Sequence, residues 1–214
     1  MNDNRIPDAR LEPVIGALRQ IKRLYRHEEG AWLVGGSTGL LLQGVALAAP
    51  PRDLDLYMDL EAVGALHQRL SLYATDEQAA NESGMYRSVL SHYAIEGVKV
   101  ELVGAFEVRS QGCCYQVEAE YLADAYPVHW TLPKHDEAPE GSRIVLLMPL
   151  VHELIFNVLR ERPDRYEAIA SACRSQGPDR LREHRSTLAA LMGRNRFTEA
   201  VSRKLEMLLD DSLL

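Results

Sequence analysis

Residues 31–59, AWLVGGSTGLLLQGVALAAPPRDLDLYMD, constrain the fold more tightly than any other stretch of the chain. The run at 31–34 is short and continuously apolar, the pattern of a central buried strand. Gly35 and Gly36 then let the backbone turn sharply and come close to a ligand. Ser37 suits the N-cap of a helix over 38–43, and Gly44 suits its end. The free amides of such a helix start favour an anion at Gly36 and Ser37. Residues 53–58 alternate cleanly, with Leu54, Leu56 and Met58 on one side and Asp53, Asp55 and Tyr57 on the other. Aspartate is disfavoured in strands, and two on one face repel unless a cation or an arginine lies between them. A plain strand-turn-helix and a polar sheet edge are the alternative readings of these two pieces.

The flanking chain supplies a framework for this stretch. An amphipathic helix is expected over 9–28, with Leu18 and Ile21 among its inward residues. Asp59 is expected to cap a helix over 60–70 with Leu60, Val63, Leu66 and Leu70 inward. A short strand over 71–75 and a polar loop over 76–84 should follow. Residues 85–103 read as a hairpin turning at Glu96-Gly97. Its return strand sends Val98, Val100 and Leu102 one way and Lys99, Glu101 and Val103 the other. Glu101 is thus a lone acid in an apolar strand, needing either a functional partner or a surface Lys or Arg. Strand-like pieces at 113–122, 126–132 and 143–148 would extend the sheet or cover one edge. From Pro149 the pattern turns helical, with breaks at Pro163 and at Gly177-Pro178. This divides the chain into an α/β part at 1–148 and a helical part at 149–214 packing on it.

Composition narrows the setting. The formal net charge of −7 argues against a broad nucleic-acid surface and leaves room for a local basic groove over a short one. No run approaches the ~18 consecutive apolar residues of a membrane span. The first residues lack the basic and apolar regions of a secretory signal, so a cytoplasmic protein with no membrane partner is expected. Cys113, Cys114 and Cys173 are odd in number and two are adjacent, which points to reduced thiols. His129, His135 and Asp136 match no strong metal-ligand template.

If the strand carrying Glu101 lies beside the one carrying Asp53 and Asp55, three carboxylates converge near one point. Three such oxygen donors suit Mg²⁺, with Mn²⁺ as a substitute, and two ions could bridge a nucleoside triphosphate. VGGSTGLLLQG, then RDLDLYMD, then VKVELV together resemble the nucleotidyltransferase superfamily, which includes DNA polymerase β and the small bacterial minimal transferases. PLVHELIFNVLRERPDRYEAIA is similar to the helical segment of its abortive-infection and antibiotic-transferase branches, with Arg162, Asp164 and Arg165 matching an Arg-x-x-Asp-like patch.

The resemblance implies an α/β (α+β) fold, with a mixed β-sheet flanked by helices and a C-terminal helical region. It implies that Asp53 and Asp55 bind both metals. Glu101 would be the third carboxylate, binding the second metal and helping to activate the acceptor hydroxyl. The Gly35-Gly36-Ser37 turn would hold phosphate, with Gly36 and Ser37 at the β/γ-phosphates. From its place beside the acidic strand, Arg52 is expected either to neutralise phosphate charge or to pair with an acid. The expected reaction moves a nucleoside monophosphate from a nucleoside triphosphate to a hydroxyl on a small molecule, protein or tRNA, releasing pyrophosphate. A non-catalytic nucleotide-binding module of the same fold, or a toxin–antitoxin component modifying tRNA or protein, are the competing expectations.

Overall fold

Sheet order, more than helix content, decides where the acids fall. The computed structural model describes residues 11–25, 29–134 and 143–210, so His135 and Asp136 lie outside the described residues. In chain order it contains α1 (Glu12–Leu24), β1 (Leu33–Gly35), α2 (Gly36–Leu42), β2 (Leu54–Met58), α3 (Leu60–Arg69), β3 (Ala79–Ser83), β4 (Tyr86–Ile95) and β5 (Val98–Ser110). There follow β6 (Cys113–Gln116), α4 (Ala119–Ala125), β7 (Val128–Thr131), β8 (Ile144–Leu147), α5 (Leu150–Leu159), α6 (Pro163–Ser175), α7 (Pro178–Arg194) and α8 (Glu199–Leu208). The strands form one mixed sheet in the order β3-β4-β5-β2-β1-β8-β7, with β6 paired to the far end of β5. β2 runs parallel to β5, and β1 runs parallel to β8. None of the described helices is long and apolar enough to cross a membrane.

Alternation along the central strands fills two separate cores. Val34, Leu54, Leu56, Met58, Val100 and Leu102 pack on the face covered by α1 and α3. Leu33, Tyr57, Val103 and Leu146 point to the opposite face, where residues of α5 to α8 join the same cluster. Since Asp53 and Asp55 share the parity of Tyr57, they face the side roofed by the C-terminal helices. Every residue of α5 is buried, the polar His152, Glu153 and Asn157 among them, so it forms the centre of that roof.

Several sequence expectations need correction. Ser37 does not cap α2. The helix begins two residues earlier, at Gly36, with Gly35 in the cap position and Gly36 at φ 58°. Asp59 occupies the N-cap position of α3, as expected, but its side chain makes no capping bond there. Its carboxylate instead accepts from the Ala119 and Glu120 amides (2.7 and 2.9 Å), closing the start of α4. Leu60 is exposed rather than inward. Residues 71–73 make one 3₁₀ turn instead of a strand. The polar segment expected as loop contains β3, a mostly exposed edge strand whose pairing comes from β4. Part of the 113–122 piece is helical, as α4.

β5 also runs past the expected end at Val103, and how it does so matters for the site. Ala105 takes φ 49°, and between Gly104 and Glu107 the β5 register gains one residue over β4. Such a bulge re-phases the strand. Phe106 and Val108, which unbroken alternation would turn toward α1 and α3, join the α5 side instead. The hairpin turn itself is as read: Glu96 and Gly97 both have positive φ, the pattern of a tight two-residue connection.

Candidate active site

The three acids do converge. One carboxylate oxygen from each of Asp53, Asp55 and Glu101 lies within 4.8 Å of the others. Strand register explains this. Asp55 sits directly beside Glu101 in the parallel β2–β5 pair, while Gly35 lies across from Asp55 on β1. A lone acid in an apolar strand is thereby placed next to a two-acid strand on the same face.

Gly36 is required by geometry. A Cβ there would sit 1.8 Å from Asp55 Oδ2, so only glycine lets the start of α2 lie against that carboxylate. Gly35 is hemmed in as well, its absent Cβ falling 2.6 Å from the Tyr57 ring and 3.0 Å from Glu153 Oε1. α2 is tied to β2 by Thr38, whose hydroxyl donates to the Asp53 carbonyl at 2.8 Å.

Glu153, on α5, is a site residue that the sequence reading missed. It is fully buried, and its Oε1 accepts from the Gly36 amide at 2.6 Å. The Gly36 amide is therefore committed to a protein carboxylate. Burial raises the Glu153 pKa, against the Gly36 hydrogen bond and the nearby Arg160 and Arg165, which lower it. The available signal was the polar trio His152, Glu153 and Asn157 inside an otherwise apolar helix, since buried charged groups are rare without a partner.

Asp55 bears the electrostatic load of the cluster. Its pKa is pushed well above the ordinary carboxylate value, first by burial and then by Asp53, Glu101 and Glu153, with Arg160 opposing. Among the described residues, none donates a hydrogen bond to the Asp55 carboxylate. Two negative charges ~5 Å apart repel by about 3 kcal/mol at an effective dielectric constant of 20. A set of all-oxygen donors under this repulsion fits a hard divalent cation such as Mg²⁺.

The acids line a cavity of about 320 Å³ with Ser37, Tyr86, Phe106, Phe156 and Arg160. Its apolar wall is an aromatic cluster, with Phe106 edge-on to Phe156 at 5.4 Å and stacked on Tyr86 at 6.0 Å. Its cations come from the helical part. Arg160 lies over the Phe156 ring at 4.5 Å, and Arg165 Nη1 donates to Ser37 Oγ at 3.1 Å. Arg162 is turned outward into an exposed two-bond pair with Asp164. Arg52 is exposed and lies outside the cavity lining. The three cysteines are free thiols, with Cys113 and Cys173 buried.

No protein-family model matches the chain, and no curated protein matches it. Solved structures do resemble it. A Thermotoga maritima protein assigned by inference as a nucleotidyltransferase shares 21% identity over 72% of this chain and 88% of its own, with a TM-score of 0.53. ANT(2″)-Ia in complex with adenylyl-2″-tobramycin shares 15% identity over 83% and 97%, with a TM-score of 0.44. An antigenic nucleotidyltransferase-like protein from Paracoccidioides brasiliensis shares 12% over 93% and 91%, with a TM-score of 0.39. The first of these likenesses, with the mixed sheet, shows that the fold is of the nucleotidyltransferase type.

Proposed function

On the premise of this nucleotidyltransferase-type fold, we propose that the protein is a metal-dependent nucleotidyltransferase. It moves a nucleoside monophosphate from a nucleoside triphosphate to a hydroxyl acceptor. The observation that carries this reading is the convergence of Asp53, Asp55 and Glu101 beside the start of α2. Glu101 discriminates between an enzyme and a binding module, because a third carboxylate turned away would leave no group for the acceptor. It faces the cluster.

The residues divide the work. Asp53, Asp55 and Glu101 would hold Mg²⁺, which when bound would neutralise phosphate charge and acidify the attacking hydroxyl. Ser37 with Arg165, and Arg160 across the cavity, meet the triphosphate. Gly36 contributes space for Asp55, its amide being held by Glu153. The acceptor oxygen attacks the α-phosphorus, the bond from that phosphorus to the α–β bridging oxygen breaks, and pyrophosphate leaves. Glu101, at the cluster's edge toward β4, takes up the hydroxyl proton. Most of the rate enhancement in such a site comes from positioning and fixed charge.

The test is transfer of label from [α-³²P]-nucleoside triphosphates, each base in turn, to acceptor pools of small molecules, proteins and tRNA. Mg²⁺-dependent acceptor labelling with pyrophosphate release, abolished in Asp53→Asn and Asp55→Asn variants that still fold, is the expected result. Label that stays with the nucleotide, or transfer that survives both substitutions, contradicts the proposal.

A further inference from the structure

One cluster beside the three acids has no part in the account so far. His92 on β4 is the register partner of Glu101 on β5. Asp76 grips His92 twice, accepting from its backbone amide at 2.7 Å and pairing with ring Nδ1 at 2.5 Å. The segment bearing Asp76 is itself sewn to β4, since Thr75 donates to the His92 carbonyl at 2.9 Å and Ala74 bridges Tyr93. The ring is thus fixed with Nε2 facing Glu101 Oε1 at 3.7 Å. Lys99 Nζ reaches the same oxygen at 2.5 Å.

We infer that His92, oriented by Asp76, is a positioning residue that sets the Glu101 carboxylate for metal binding. The inference rests on the metal-centre reading above and extends it to the groups behind the third acid. Both contacts, from Lys99 Nζ and His92 Nε2, fall on Oε1, and no other described residue bonds the Glu101 carboxylate, so Oε2 is left for the cluster. Of the two, His92 is the one that can fix an orientation. Its side chain is only 25% exposed, with ring Nδ1 held by Asp76 and the backbone at the same residue held by the same carboxylate, whereas that of Lys99 is 56% exposed. Groups behind a metal-binding carboxylate commonly set its affinity, and their loss costs about 10–100-fold. The plainer role for the Asp76–His92 pair is to staple residues 74–76 to the sheet, which would affect stability and leave metal binding untouched.

Mn²⁺ binding, followed by loss of the free-ion electron paramagnetic resonance signal in the full chain with a non-hydrolysable triphosphate, separates these roles. His92→Ala is expected to weaken Mn²⁺ about tenfold or more. Asp76→Ala should shift it the same way, and the double variant should bind no more weakly than His92→Ala, because the two act through one contact. His92→Gln, whose amide can stand near the Nε2 position, should recover most of the affinity and also serves if the alanine variant fails to fold. Wild-type affinity in folded His92→Ala or His92→Gln together with Asp76→Ala, or losses that add in the double variant, would overturn the inference. A wild-type protein lacking any Mn²⁺ site that Asp55→Asn removes would overturn the metal centre itself, and this inference with it.

Discussion

Asp55 and Glu101 are direct neighbours across the parallel β2–β5 pair, in a row that runs from Gly35 on β1 to His92 on β4. Each of the four residues comes from a different strand at one level of the sheet. That row brings acids nearly fifty residues apart in sequence to one point on the face covered by α5. It also makes the site sensitive to small changes at Gly36, which packs against the same carboxylate.

Gly36→Ala should abolish activity. A methyl group there meets Asp55 Oδ2 at 1.8 Å, and a left-handed backbone costs a non-glycine residue about 1–2 kcal/mol. Gly44→Ala is the matched control, with φ 79° and open space around the missing Cβ. It should show only the backbone cost in urea unfolding, with transfer retained.

Asp55→Asn should raise the melting temperature of the metal-free protein at neutral pH while eliminating its stabilisation by Mg²⁺. The sign follows from the raised pKa. An acid whose folded pKa lies above its unfolded value contributes stability below the unfolded value, near 3.8, and loses it as pH rises through the folded one. Melting curves from pH 4 upward, with and without Mg²⁺, measure this. A wild-type curve that is flat with pH and indifferent to Mg²⁺ would contradict it.

His152 should control part of the acid limb of stability. It is fully buried, and desolvation lowers its pKa to about 3. A depressed folded pKa means that stability is complete above the unfolded value of 6.5 and falls as pH drops toward 3, by about 1.4 kcal/mol per pH unit. Urea unfolding of His152→Gln between pH 7 and 4 should show a shallower decline than the wild type. Parallel curves would disprove the assignment.

Glu153→Ala should destabilise the fold by about 3 kcal/mol, because it strands the Gly36 amide and opens a cavity under α5. Glu153→Gln keeps an accepting oxygen and should stay within about 1 kcal/mol of wild type, since the lost group is a carboxyl that burial already disfavours as an anion. Denaturant midpoints of the two variants check this.

The acid cluster and the turn beside it were legible because short-range patterns carry them. Apolar 31–34, the Gly35-Gly36 turn and alternation through Asp53 and Asp55 each follow from local backbone rules, and Glu101 stood out as an acid in an apolar strand. What was hidden depends on tertiary partners. Asp59 stands at the N-cap of its own helix, yet its carboxylate binds the first amides of α4 instead. Glu153 reads as one polar residue among apolar ones until α5 is laid over α2. Phe106 reaches the cavity only through the bulge at Ala105, where nothing in a non-glycine, non-asparagine residue signals positive φ. β3 is polar and forms a strand only because β4 offers it a ladder.

On the proposed function, Asp53, Asp55 and Glu101 form a metal centre serving a nucleoside triphosphate. Anomalous scattering from crystals soaked with Mn²⁺ and a non-hydrolysable triphosphate tests it most directly. Anomalous peaks are expected among the three carboxylates, with the triphosphate running toward Ser37, Arg160 and Arg165. Triphosphate bound elsewhere, or no metal between Asp55 and Glu101, would contradict it.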